Sequence, residues 1–127
     1  LLVGTLREAD SFSLKGLARK ISDTSSKLRD GSYDLDGVSG STFTISSLGG
    51  IGGTRFSPIV NPPEVAILGV SRSKVSPVFN KETNSFEPRY VMPFCVSYDH
   101  RVIDGAAGVL FTTQLINILG NEKNFED

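Results

Sequence analysis

The sequence predicts an α+β fold, a mixed sheet covered by helices. Two segments near the ends have helical apolar spacing, the middle is patterned for strands, and glycine and proline clusters separate those strands. At 127 residues the chain is long enough for one small domain or part of one. With 39% hydrophobic and 21% charged residues, it has the composition of a folded globular protein, not of a disordered one.

The first helix is expected over 13–29. Leu14, Leu17, Ala18, Ile21 and Leu28 recur at intervals of three, four and seven with polar residues between. Ser13 suits the N-cap and Gly31 the C-terminal stop, while Lys27 and Arg29 fall in the last turn, where the helix dipole favours cations. The next segments read as strands of one sheet. Ser41 to Ser46 alternates Thr with apolar residues, Val65 to Val70 is a continuous apolar run, and Val75 to Phe79 and Tyr90 to Tyr98 flank a polar hairpin tip at Asn80 to Ser85. Leu1-Leu2-Val3 reads as part of a further apolar strand. Pro62, Pro63 and the glycines at 49, 50, 52 and 53 mark loops. The final helix is expected over 104–119, with Ala107, Leu110, Phe111, Leu115 and Ile118 at helical spacing and Gly120-Asn121 closing it.

Thirteen basic against fourteen acidic residues give a net charge of -1, so no electrostatic footprint points to nucleic acid or to an anionic membrane. No stretch approaches the apolar length of a membrane span. Cys95, the single cysteine, lies in the apolar run 90–96 and reads as a buried thiol; one cysteine excludes an internal disulfide framework. The chain starts at Leu1 instead of Met, within an apolar segment, so an N-terminal part carrying any targeting signal is expected to precede it.

The chemistry converges on the sole histidine. His100 stands where the last strand runs out, in Ser97-Tyr98-Asp99-His100-Arg101-Val102-Ile103-Asp104-Gly105. A rigid sheet aims side chains from such strand ends, and an imidazole exchanges protons near neutrality. The alternative is a satisfied structural histidine, with Asp99 and Arg101 as a surface ion pair and Asp104 as the cap of the final helix. One histidine and one distant cysteine offer no metal-ligand cluster, and GxSxG, GxGxxG and P-loop patterns are missing. Ser46 and Ser47, before Leu48-Gly49-Gly50, could donate a hydroxyl into a site or simply start a turn.

Three blocks carry a resemblance. Asp99 to Gly105 is similar to the DHRxxDG signature of the dihydrolipoamide acyltransferase components of 2-oxo acid dehydrogenase complexes. Phe43-Thr44-Ile45-Ser46-Ser47-Leu48-Gly49 and Pro58 to Val70 resemble two further blocks of that family, in the same order, and Gly16 to Gly31 is similar to the helix before them. The resemblance extends over residues 1–127 and identifies them with the C-terminal part of the catalytic domain, a chloramphenicol-acetyltransferase-like two-layer sandwich. The first half of that domain, with the lipoyl and subunit-binding domains before it, has no counterpart in this sequence.

What the resemblance implies is acetyl transfer between dihydrolipoamide and coenzyme A, with His100 as general base, Ser46 as donor to the oxyanion and Asp104 as holder of the loop. Coenzyme A is a substrate, no residue of this chain is assigned to its binding, the lipoyl group rides on a separate domain, and no metal takes part. The implied partners are two further copies in a homotrimer, a cubic or dodecahedral core built from trimers, the lipoyl domain and the dehydrogenase components. In the trimer, the histidine of one subunit faces the serine of its neighbour. Ser47-Leu48-Gly49, where succinyl-transferring members more often carry Asn-Gly-Gly, points to acetyl and to a pyruvate-linked complex. The implied location is bacterial cytoplasm or mitochondrial matrix, the former favoured. A noncatalytic core protein of the same fold and a chloramphenicol-acetyltransferase-like enzyme are the alternatives.

Overall fold

The computed structural model describes residues 2–125, which form two compact units. One holds the chain up to Thr42 together with the chain from Leu115 onward; the other is Phe43–Gln114, so the division falls inside the last helix.

The first unit centres on helix α1 (Leu14–Asp30). Ser13 caps it by accepting a hydrogen bond from the Gly16 backbone N–H at 3.2 Å. It ends at Gly31, whose φ of 72° is left-handed and whose N–H donates to the Lys27 carbonyl, a position that glycine takes without the Cβ penalty. Both boundaries agree with the expectation. The N-terminal segment is not a strand, however: Leu2 and Val3 have no regular structure, and Leu1 lies outside the described residues. The segment instead runs close to α1. A Cβ at Gly4 would sit 2.7 Å from Thr24 Cγ2 and 3.1 Å from Leu28 Cδ1, so backbone contact takes the place of strand pairing. A short 3-10 turn at Leu35–Val38 is tied back to it by Thr5 N–H donating to the Gly37 carbonyl and by Arg7 pairing with Asp36 at 3.3 Å.

The second unit is built on β1 (Thr44–Ser47), β2 (Ala66–Val70) and β5 (Phe94–Tyr98). The strand order is β1-β2-β5, with β1 parallel and β5 antiparallel to β2. Ala66, Ile67 and Leu68 make β2 the buried core, as a continuous apolar strand paired on both sides should be. Gly69 continues that run because the strand is overlaid at that point. A Cβ there would stand 3.0 Å from Cys95 Sγ, from Phe56 Cζ and from Pro58 Cδ. Cys95 is half-buried, and its thiol donates to the Phe56 carbonyl at 2.6 Å, fastening the crossing segment to the sheet.

The expected single sheet is corrected. Strands β3 (Lys74–Asn80) and β4 (Ser85–Val91) form a separate two-stranded hairpin, paired from Lys74 opposite Val91 to Asn80 opposite Ser85. What reads as one strand from Tyr90 to Tyr98 is two, broken at Met92-Pro93. Pro93 has no N–H for a ladder, and its carbonyl accepts from Ser71 N–H, which moves the chain from the hairpin to β2. Inside the hairpin, Pro77 faces Pro88. Two prolines fit opposite each other only where neither N–H is needed between the strands, and both edges are thereby blunted.

Helix α2 (Gly105–Leu119) begins one residue after its expected start because Asp104 is its cap: Asp104 Oδ1 accepts from Ala107 N–H at 2.8 Å. Its first turns lie on this unit. Phe111 meets Phe43 at a ring separation of 6.0 Å, and buried Gly108 lies against Tyr98 of β5.

The crowding at Gly69 yields a prediction. Gly69→Ala is expected to destabilise the fold by about 1–3 kcal/mol through overpacking. Gly50→Ala, where an added Cβ meets nothing within 4 Å, should stay within about 0.5 kcal/mol of the parent. Thermal melting of the two variants checks the contrast, and equal melting temperatures would refute it.

Candidate active site

The turn after β5 is held at both ends by carboxylates. Asp99 extends the β2–β5 ladder by donating its N–H to the Val65 carbonyl at 2.8 Å. Its own carbonyl then accepts from Val102 and Ile103 N–H, at 3.0 and 2.9 Å, closing the turn around His100. The Asp99 carboxylate takes the Arg101 guanidinium in a fork, with Nη2 to Oδ2 at 2.6 Å and Nε to Oδ1 at 2.9 Å, and also accepts the Arg101 backbone N–H at 3.0 Å. The side-chain hydrogen bond from Arg101 above all, with the backbone one, holds the Asp99 carboxyl down to about 2, so it stays ionised across the working pH range. Asp99 and Arg101 therefore form the ion pair anticipated from sequence, and it spans the residue between them. At the far end, Asp104 fixes the first turn of α2.

Between these anchors His100 projects an exposed imidazole. Its ring lies 5.9 Å from that of Tyr98, with the planes inclined at 42°. Among the described residues no ion pair or hydrogen bond joins the imidazole to this chain. An exposed ring on a backbone fixed at both ends is free to exchange a proton with a molecule that approaches it.

Ser46 lies elsewhere. It is half-buried on β1 in register with Gly69 of β2, which is itself paired with Cys95 of β5. Four residues of extended chain, about 13 Å, separate that rung from Asp99, and two interstrand spacings add about 10 Å across the sheet. The structure thus brings His100 and Asp104 into one loop, while Ser46 of the same chain is out of reach of both. Ser47, by contrast, is occupied with the turn: its Oγ accepts from Gly49 N–H at 3.4 Å. The glycine loop that follows is pinned by Arg72, which donates to the carbonyls of Gly49 and Gly50 at 3.0 and 3.2 Å.

Sequence reading passes over Arg72, Tyr98, Gly108 and Glu64. Glu64 is buried and accepts from the Thr44 hydroxyl at 2.9 Å, tying the loop before β2 to the start of β1. Gly108 left a signal, since a glycine inside an uninterrupted helical pattern weakens it by about 1 kcal/mol and is retained where something comes close. Among the described residues no three His, Cys, Asp or Glu side chains converge to hold a metal ion, and no helix is long and apolar enough to cross a membrane. Two surface depressions lie in the other unit, along α1, one beside Thr24, Leu28 and Tyr33 and one beside Arg7, Phe12 and Lys20.

The family described as 2-oxoacid dehydrogenases acyltransferase (catalytic domain) matches residues 1–125. The dihydrolipoyllysine-residue acetyltransferase component of the pyruvate dehydrogenase complex of Pseudomonas aeruginosa is 49% identical over 121 residues, which is 95% of this chain and 22% of that protein. The crystallographically studied dihydrolipoamide acetyltransferase of Azotobacter vinelandii superposes with a TM-score of 0.92 at 47% identity, over 98% of this chain and 50% of that one. The cubic core of a pyruvate dehydrogenase multienzyme complex gives a TM-score of 0.92 at 46% identity, with the same coverage. The chain thus spans about a fifth of the length of the curated relatives and half of the solved chains. On its fold, its ordered blocks and these likenesses, the chain belongs to the 2-oxoacid dehydrogenase acyltransferase (catalytic domain) family.

Proposed function

We propose that residues 1–127 act as the C-terminal part of an acyltransferase catalytic domain, moving an acetyl group between dihydrolipoamide and coenzyme A in a bacterial pyruvate dehydrogenase complex and building the core of that complex. The observation that carries this reading is the exposed imidazole of His100 on a turn clamped by Asp99–Arg101 and by the Asp104 cap. It is supported by the Azotobacter enzyme, for which a serine, a histidine and an asparagine four residues after it have been investigated for their role in catalysis. His100 and Asp104 have that spacing, with Asp standing where that enzyme has Asn. Both residue types are good helix caps, so the exchange preserves the cap that Asp104 makes in this chain.

In this mechanism neutral His100 takes the proton of the attacking thiol, that of coenzyme A when the acetyl group arrives as an S-acetyl dihydrolipoyl thioester. The sulfur attacks the thioester carbonyl, and the resulting tetrahedral oxyanion accepts a hydrogen bond from the Ser46 hydroxyl. As the intermediate collapses, the carbon–sulfur bond to the departing dihydrolipoyl thiolate breaks and the His100 imidazolium returns its proton to that sulfur. Both substrates meet at one imidazole, so no acyl-enzyme is formed. Because Ser46 and His100 of one chain are far apart, the serine comes from a neighbouring subunit, which makes the trimer a condition for catalysis and not only for scaffolding. The lipoyl domain delivers one substrate, and the dehydrogenase components bind around the core.

Two tests follow, both in the complete catalytic domain. His100→Ala and His100→Gln should each lower acetyl transfer on the order of 10²-fold to 10⁴-fold with melting temperature and oligomer size nearly unchanged. A folded His100→Ala variant that keeps half the parent rate would remove His100 from the mechanism. Ser46→Ala should cost roughly 10²-fold to 10³-fold in turnover with little change in Michaelis constants, whereas Ser47→Ala, which loses only a turn contact, should cost far less. The reverse ranking of the two serines would show that the donor is the wrong one.

A further inference from the structure

We propose that Tyr98 is a positioning residue for His100 and that Gly108 makes its position possible; this rests on the reading of His100 as the general base. The clamp made by Asp99 and Arg101 fixes the backbone of the turn but not the side-chain torsions of His100, whose ring is exposed. General-base catalysis depends on those torsions, since the accepting nitrogen must lie in line with one thiol. The ring of Tyr98, 5.9 Å away and inclined at 42°, excludes the rotamers that would carry the imidazole into the space it occupies.

Tyr98 is in turn set by what lies behind it. It pairs with Ala66 at the buried start of β2, and its ring rests on the backbone of α2 at Gly108. A Cβ at that position would fall 2.8 Å from Tyr98 Cε1, closer than a ring atom and a methyl group can approach, with Cζ at 3.1 Å and the hydroxyl oxygen at 3.2 Å also crowded. Any residue larger than glycine therefore displaces the tyrosine ring, and with it the aromatic neighbour of His100. Glycine is a poor residue for a helix interior, and Gly108 is the buried residue of α2. Its presence is explained by the aromatic ring it admits. Neither residue touches substrate; both act through the imidazole.

The experiment is a variant set in the assembled catalytic domain, read as kcat and KM for both thiol substrates together with crystal structures. Tyr98→Leu should lower kcat about 10-fold to 10²-fold, the scale of an ångström misplacement of a catalytic group, with KM nearly unchanged. Tyr98→Phe, which keeps the ring, should retain the parent rate. Gly108→Ala should lower kcat in the same way, but should cost little more in a Tyr98→Leu background, because its effect runs through the ring. The imidazole should be displaced in the Tyr98→Leu and Gly108→Ala crystals and in place in Tyr98→Phe. A parent-like kcat for Tyr98→Leu would overturn the proposal, as would losses that track melting temperature and add independently in the double variant. If Tyr98→Leu fails to assemble, Gly108→Ala and Tyr98→Phe decide the matter by the same criteria. An active His100→Gln variant would sink the base assignment by itself, and the position of the imidazole in the Tyr98→Leu crystal would still show whether Tyr98 holds it.

Discussion

The hydrogen-bond register of β2 with its two neighbours decides where the candidate site residues Ser46 and His100 are placed. Because β1 runs parallel to β2 and β5 antiparallel, Ser46 shares a rung with Gly69 and Cys95, and the chain leaves the sheet for His100 only beyond Tyr98, opposite Ala66. A slip of one residue would bring a side chain to the place under Phe56 and Pro58 where Gly69 lies and where even a Cβ is crowded. The register is therefore tightly specified by packing. With it comes the separation of Ser46 from His100 within one chain, on which the proposal of a site shared between subunits rests.

The same unit shows what this chain leaves uncovered. On one face of the hairpin, Val75, Pro77 and Phe79 stand opposite Tyr90, Pro88 and Phe86, and Tyr90 is 81% exposed and Phe86 71% exposed. Phe79 and Phe86 stack edge to face at 5.4 Å without being buried by it. On the other face Ser76, Arg89, Glu87 and Asn80 form a polar array in which Asn80 and Arg89 both bind Glu87, and the Asn80 hydrogen bond leads in lowering its carboxyl. A hairpin with one apolar and one polar face is the pattern of a strand pair meant to be covered on one side. That fits a chain spanning half the length of its solved relatives.

Much of this was legible in the sequence, and the reasons differ by element. Helix α1 was readable because its signals are local: an apolar stripe, a serine at the start and a glycine at the stop. The loop from Asp99 to Gly105 was readable because its anchors are neighbours in sequence and their chemistry is short-range. Strand partners were not. Whether Tyr90 to Tyr98 is one strand or two depends on Ser71 capturing the Pro93 carbonyl, a contact across 22 residues that no local pattern announces. The distance between Ser46 and His100 depends on two registers at once, so motifs alone name the two residues but not their separation. Tyr98 and Gly108 escaped for the same reason, being joined only by tertiary packing.

A site in which one subunit supplies His100 and another Ser46 is tested most directly by complementation. Complete catalytic domains carrying His100→Ala and Ser46→Ala are each made alone and then assembled together as mixed trimers. In a mixed trimer the Ser46→Ala subunit brings an intact histidine and the His100→Ala subunit an intact serine, so intact sites form at the boundary between them. Random one-to-one mixing should restore about a quarter of the parent activity, far above either variant alone. Mixed trimers no more active than the two separate variants would mean that both residues act within one chain, and a site shared between subunits would be ruled out.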